Sequence, residues 1–232
     1  MAESKTFFTV RSIILMVFVV IIAPFLPMLI SRQWRWWEAW AYAILSILGF
    51  VVSRMLVARR NADLLIERSR SIELQGAKSW DKILAPTLAL GSLFILVVAG
   101  LDKVFGWTTP FSFNAKVLSL IVIVLGYVLG SWALIENRFF SGVVRIQTDR
   151  GQKVVSTGPY RFVRHPGYAG ALWTFLFMPI LLDSLWAFIP TLLLIGILIL
   201  RTSLEDRTLQ AELPGYADYA KKTRYRLLPG IW

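Results

Sequence analysis

The chain has 232 residues, 56% of them hydrophobic, with a mean hydropathy of +0.62, too apolar for an ordinary soluble domain of this size. It has no cysteine and one histidine, which excludes disulfides, thiolate metal sites, cysteine nucleophiles and a multi-histidine metal centre within one chain. Lys plus Arg is 25 against 14 for Asp plus Glu, giving +11, which reads as basic loops facing anionic headgroups, since no nucleic-acid motif accompanies it.

The expected fold is an all-α integral membrane protein with about six transmembrane helices, in one multi-pass domain over residues 1–232. Four spans fall within 1–135, at Ser12–Ile30, Ala39–Val57, Ile83–Leu101 and Val117–Ile135. The first contains Pro24 and Pro27 and lacks a small-residue cleavage site, so it is read as a retained helix and not a signal peptide. The loop "SRQWRWWEAW" that follows carries four tryptophans and reads as an interfacial belt. Asn61–Leu74 mixes charge with apolar residues and is expected to be an interfacial helix. Region 136–232 holds a tight pair, Tyr168–Leu182 and Leu185–Leu200. Only Asp183 and Ser184 lie between them, so they form an antiparallel hairpin. A tail follows that starts as a charged helix from Ser203 and is interrupted at Pro214-Gly215. Basic residues cluster between spans two and three, between spans four and five, and in the tail. With six spans these fall on one side, and the positive-inside rule makes it cytoplasmic, with both termini there. The compact chain is expected in a prokaryotic cell membrane.

Chemistry concentrates at one end of that hairpin. Antiparallel neighbours put Tyr168 and Arg201 at the same end. Three polar pieces meet there: Arg145–Tyr160, "RFVRHPGY" (Arg161–Tyr168), and "RTSLED" (Arg201–Asp206). Arg201 and Glu205 are four apart and share a helix face. Each feature also has a plain structural reading. Pro159 and Pro166 shape a loop, Gly158, Gly167 and Gly170 serve turns and close packing, Arg161 and Arg164 anchor to phosphates, and Arg201–Glu205 is a surface ion pair. The coincidence of all of them favours a site.

The stretch "VVSTGPYRFVRHPGYAG", followed by a helical hairpin, Arg201, Glu205-Asp206, Leu209, Tyr216, Tyr219 and Pro229, resembles the isoprenylcysteine carboxyl methyltransferase family, itself related to the phospholipid N-methyltransferases. The resemblance runs from Phe139 to Trp232. Family members often carry histidine where this chain has Gln152, and Glu-Glu where it has Glu205-Asp206. The resemblance implies S-adenosylmethionine as cofactor, held in a cytoplasmic pocket between the loop, the hairpin and the tail. By motif position its contacts are Gln152, Lys153, Val154, Val155, Tyr160, His165, Pro166, Gly167, Tyr168 and Glu205, with Arg145 a weaker upstream contact. Arg201 matches the arginine at the substrate carboxylate, which makes Arg201 and Glu205 the catalytic pair. His165 is then a cofactor-binding group and not a proton shuttle, and no metal is needed.

The acceptor implied is a membrane lipid or a lipophilic small-molecule or prenylated carboxylate, with no nucleic acid and no obligate protein partner. Three alternatives stay open: N-methylation of an amine headgroup, an NADPH-dependent membrane reductase, and a non-enzymatic lipid-binding or transport protein.

Overall fold

The computed structural model describes residues 10–72 and 76–232. Its α-helices are α1 (Val10–Val17), α2 (Leu26–Ser31), α3 (Trp37–Arg60), α4 (Ala62–Ile72), α5 (Asp81–Phe105), α6 (Phe113–Glu136), α7 (Pro166–Leu181), α8 (Phe188–Glu212) and α9 (Tyr216–Lys222). No strand occurs among the described residues. The protein is an all-α integral membrane protein. Among the described residues, five helical stretches are long and apolar enough to cross a bilayer: Ile13–Ser31, Trp37–Arg60, Asp81–Phe105, Phe113–Glu136 and Phe188–Glu212. The remaining expected span, Tyr168–Leu182, is α7, apolar but only 16 residues long. At 1.5 Å per residue it reaches about 24 Å, short of a ~30 Å hydrocarbon core. Large apolar side chains such as Phe94, Leu125 and Leu193 point outward, as lipid requires.

Pro24 and Pro27 explain the broken first span. Proline removes a backbone donor, and between α1 and α2 the chain passes through a π turn at Phe18–Ile22 and a 3-10 turn at Ala23–Phe25. α6 and α7 cross closely through glycine. A Cβ on Gly126 would lie 2.5 Å from Thr174 Oγ1, and one on Gly170 would lie 2.5 Å from the Gly126 carbonyl oxygen. Small residues at a crossing let two backbones approach, the usual means of association in a medium as apolar as the side chains.

The hairpin is present, with different ends from those read in the sequence. Its turn spans Leu182 to Ala187, and α8 runs on to Glu212, well past Leu200. Polar bonds hold the turn. Asp183, in the left-handed region at φ 53°, accepts from the Phe111 N–H at 2.9 Å and from Lys116 Nζ at 3.0 Å. Lys116 also binds Glu38 at 2.5 Å, tying in the start of α3. Ser184 Oγ donates to Asp102 at 2.6 Å and accepts from the Ala187 N–H at 3.1 Å. The tryptophan belt needs one correction: Trp34, Trp37 and Trp40 are exposed, but Trp36 is buried in the core beside Ala39 and Ala99, with Lys103 over its ring. The expected interfacial helix is α4, whose described part ends at Ile72. Glu73, Leu74 and the side chain of Arg70 lie outside the described residues.

Candidate functional site at the open end of the hairpin

The long loop from α6 to α7 folds back over the helix ends. Pro166 occupies the first turn of α7, where its missing N–H costs nothing, and His165 before it lies outside the helical region at φ −126° and ψ 63°. A cleft of about 90 Å³ opens between this loop, α8 and the tail. Gln152, Lys153, Val154, Val155, Tyr160, His165, Gly167, Tyr168, Arg201 and Glu205 all line it. Pro166 does not. It is buried behind the cleft, at the start of α7.

Asp206 organises one wall. It is fully buried and accepts from Arg164 Nε at 2.7 Å and Nη2 at 2.9 Å. Arg226 Nε, Gln210 Nε2 and the Tyr216 hydroxyl also donate to it, at 2.9, 2.8 and 3.1 Å. His165 Nε2 lies 3.3 Å away. One carboxylate thus joins α8, the turn before α7, α9 and the tail. The backbone reinforces the joint: Arg164 N–H donates to the Tyr225 carbonyl and His165 N–H to the Arg226 carbonyl, both at 2.9 Å. The Tyr219 hydroxyl donates to the Tyr160 carbonyl at 2.7 Å. His165 is stacked on Tyr168, with ring centroids 5.8 Å apart at 10°.

Arg201 organises the other wall. Its guanidinium fork grips Asp81 at the start of α5, Nε to Oδ1 at 2.7 Å and Nη2 to Oδ2 at 3.0 Å. Asp81 also accepts from the Val144 N–H at 2.6 Å, so the pair carries the loop as well. Arg201 Nη1 donates to the Tyr168 hydroxyl at 2.5 Å, which in turn donates to Glu205 Oε2 at 2.6 Å. Arg201 and Glu205 share a face of α8 as their spacing requires, and the Tyr168 hydroxyl sits between them.

Helix α4 braces the loop from outside. Arg145 binds Glu67 through Nε and Nη2 at 2.8 and 2.7 Å and Asp149 at 2.8 Å, which raises its own pKa and leaves its fork occupied. Arg138 and Arg150 both reach Asp63, at 3.2 and 2.5 Å. Gln152 Oε1 accepts from the Gln147 N–H at 2.7 Å. The backbone N–H groups of Lys153, Val154 and Val155, by contrast, make no hydrogen bond among the described residues, and these three residues line the cleft.

Comparison with known sequences falls on this same region. Residues 118–211 match the isoprenylcysteine carboxyl methyltransferase (ICMT) family. Two curated rice proteins, from Oryza sativa subsp. indica and subsp. japonica, each named probable protein-S-isoprenylcysteine O-methyltransferase, are 36% identical over 56 residues. Those residues are 24% of this chain and 29% of each rice protein, so the chain spans under a third of the curated relatives it matches. The ICMT match begins inside α6, earlier than the Phe139 of the motif resemblance, and ends before Tyr216, Tyr219 and Pro229 in the tail.

Within the ICMT-matched region the motif residues meet in one cleft, but several of their partners lie outside it. Asp81 was not singled out in the sequence. It is a carboxylate at a helix start, 120 residues from Arg201, and only its placement at the mouth of a span next to basic residues hinted at a partner. Asp63 and Glu67 were read as part of an amphipathic surface. Their signal was a carboxylate pair one turn apart, opposite an excess of basic loop residues. Phe140, which forms the cleft wall against Gly167, carried no signal at all.

Proposed function

We propose that this protein is an S-adenosylmethionine-dependent membrane methyltransferase that O-methylates the carboxylate of an isoprenoid or prenylcysteine-type acceptor. The observation that carries the reading is the coincidence of the ICMT match with one cleft that gathers the motif residues between the loop, α8 and the tail. The donor set suits the cofactor. The open N–H groups of residues 153 to 155 fit its carboxylate, and Glu205 fits its ribose hydroxyls or ammonium. Tyr160, Tyr168 and Tyr216 offer aromatic faces for the adenine and the positive sulfur.

When bound, S-adenosylmethionine supplies a methyl group already activated on a sulfonium. What is asked of the chain is then alignment and exclusion of water more than acid–base work. Asp206 fixes the turn that carries His165, and the stacked His165–Tyr168 pair fixes one side of the cleft. Arg201, clamped by Asp81, holds the Tyr168 hydroxyl and through it Glu205. The site end of the bundle is assigned to the cytoplasm, where the basic loops belong and the cofactor is made.

One observation favours a second reading, N-methylation of an amine headgroup. The fork of Arg201 is already filled by Asp81, while the Glu205 carboxylate remains at the cleft as a proton acceptor. A methyl-transfer assay with labelled S-adenosylmethionine against lipid extracts separates the two. A base-labile methyl ester identified by mass spectrometry is the expected product, and a stable N-methyl lipid would replace the first reading by the second.

A further inference from the structure

A second cavity of about 380 Å³ lies within the helix bundle, bordered by the first span, α3, α5, α6 and α7. Phe140 and Gly167 line both cavities, so a single aromatic ring and a residue without a side chain stand between them. A Cβ on Gly167 would come within 2.6 Å of the Phe140 ring. The chamber is mostly apolar, with the hydroxyls of Tyr42 and Tyr127 and the guanidinium groups of Arg54 and Arg68, the latter from α4, among its polar groups.

Arg54 differs from the arginines that brace the cleft. Arg138, Arg145, Arg150, Arg164, Arg201 and Arg226 each bind a carboxylate. Arg54 makes no ion pair among the described residues and lies over the Phe50 ring at 4.7 Å. No carboxylate is found among the described residues that line the chamber. Arg54 is six residues from the end of α3, roughly 9 Å along the helix from its site end. A cation at that depth in an apolar wall is costly unless something anionic meets it. Arg68 adds to the positive field beside Phe140: it donates to the Phe140 carbonyl at 3.3 Å and lies over its ring. Burial and then the like charge of Arg54 hold the Arg68 guanidinium below its ordinary pKa.

We infer that the chamber receives a single-chain lipophilic acid, and that Arg54 reads its carboxylate. The inference rests on the methyl-transfer reading above and adds to it a guanidinium in the chamber wall that binds no carboxylate among the described residues. The chain of the acid lies in the apolar chamber and its carboxylate is drawn to the site end, where only the Phe140 ring separates it from the cleft. Arg54 is thus a specificity residue for the acceptor and Phe140 the partition it must pass.

The test is photolabelling of the full chain in phosphatidylcholine nanodiscs with a diazirine-bearing palmitic acid and, separately, its methyl ester. Labelled peptides are mapped by mass spectrometry. In the wild type the acid should label chamber peptides about tenfold more than the ester, the scale of a hydrogen bond to a charged partner. Arg54→Gln should bring the acid down to the ester, and Arg54→Lys, which keeps the charge, should retain part of the preference. Equal labelling by acid and ester in the wild type, or an undiminished preference in Arg54→Gln, overturns the inference. So does loss of acid labelling when phosphatidylglycerol replaces phosphatidylcholine, since the chamber would then hold a phospholipid. Calorimetry of S-adenosylmethionine on the same samples separates the two readings. Wild type that keeps the acid preference but binds no cofactor contradicts the methyl-transfer function and not the chamber. Cofactor binding without acid preference does the reverse.

Discussion

Glu205 and Asp206 are adjacent in sequence and act on different faces of α8. Glu205 turns to Tyr168 in the cleft, and Asp206 is buried among three basic side chains and the Tyr216 hydroxyl. Their substitutions should therefore separate. Glu205→Gln removes a charged acceptor from the cleft, and should weaken cofactor affinity by about 1–3 kcal/mol with little change in thermal stability. Asp206→Asn leaves buried arginine without its partner, and should lower the melting temperature sharply, since breaking a buried pair costs about 3–5 kcal/mol. Calorimetry and a thermal melt on both variants read the difference. Arg201→Lys and Asp81→Asn form a second pair. Both release the clamp on the Tyr168 hydroxyl, so both should reduce turnover while cofactor affinity falls less. Full turnover in Asp81→Asn would show that the Arg201–Asp81 pair has no part in placing Tyr168.

At the scale of elements, α4 is held to the loop mainly by ion pairs, and that attachment is sensitive to acid. Burial pushes the Glu67 carboxyl up, and the Arg145 guanidinium and the Ser141 hydroxyl more than reverse this, leaving it below its ordinary value. A carboxyl lowered on folding stays charged where the unfolded chain has already taken up a proton. Its contribution is complete above the ordinary value of 4.5 and is lost as pH falls through the folded value. Thermal stability of the wild type should then fall below about pH 4.5, and Glu67→Gln should flatten that fall while lowering stability at neutral pH. The α6–α7 crossing makes a separate demand. Gly170→Leu places a branched side chain where even a Cβ meets the Gly126 carbonyl at 2.5 Å, so it should abolish the folded, monodisperse protein. A Cβ on Gly130, on α6, meets nothing within 4 Å, so Gly130→Leu should be tolerated, as size-exclusion profiles would show.

At the scale of the whole molecule, the membrane spans were legible because they are apolar runs bounded by charge or turn residues. The turn "RHPGY" was legible because its proline and glycine restrict the backbone and its basic residues bracket the only histidine. The supports of the site were not. Asp81 reaches Arg201 across 120 positions, Glu67 reaches Arg145 across 78, and Asp63 reaches Arg150 across 87. Nothing local in the chain marks such partners, because an ion pair between elements leaves no periodicity. The course of α8 was legible in part: charge after Leu200 marks the exit from lipid, and the charged helix read in the tail proves to be a continuation of α8 for three further turns, the platform for Arg201, Glu205 and Asp206. The proposed topology places Ser156 and Leu185 on opposite sides of the membrane. Because the chain has no native thiol, a cysteine at either position can be labelled cleanly. Ser156→Cys should react from the cytoplasm and Leu185→Cys from the other side, and reaction of both from one side would make α7 and the start of α8 a re-entrant hairpin.

The central claim is that the cleft between the loop, α8 and the tail is a site for S-adenosylmethionine. The most direct measurement is calorimetric titration of the wild-type protein in nanodiscs with S-adenosylmethionine, its demethylated product and NADPH. One molecule of cofactor or demethylated product should bind per chain, with no heat from NADPH. Saturable NADPH binding by a folded sample that gives no heat with S-adenosylmethionine would contradict the claim and favour a reductase.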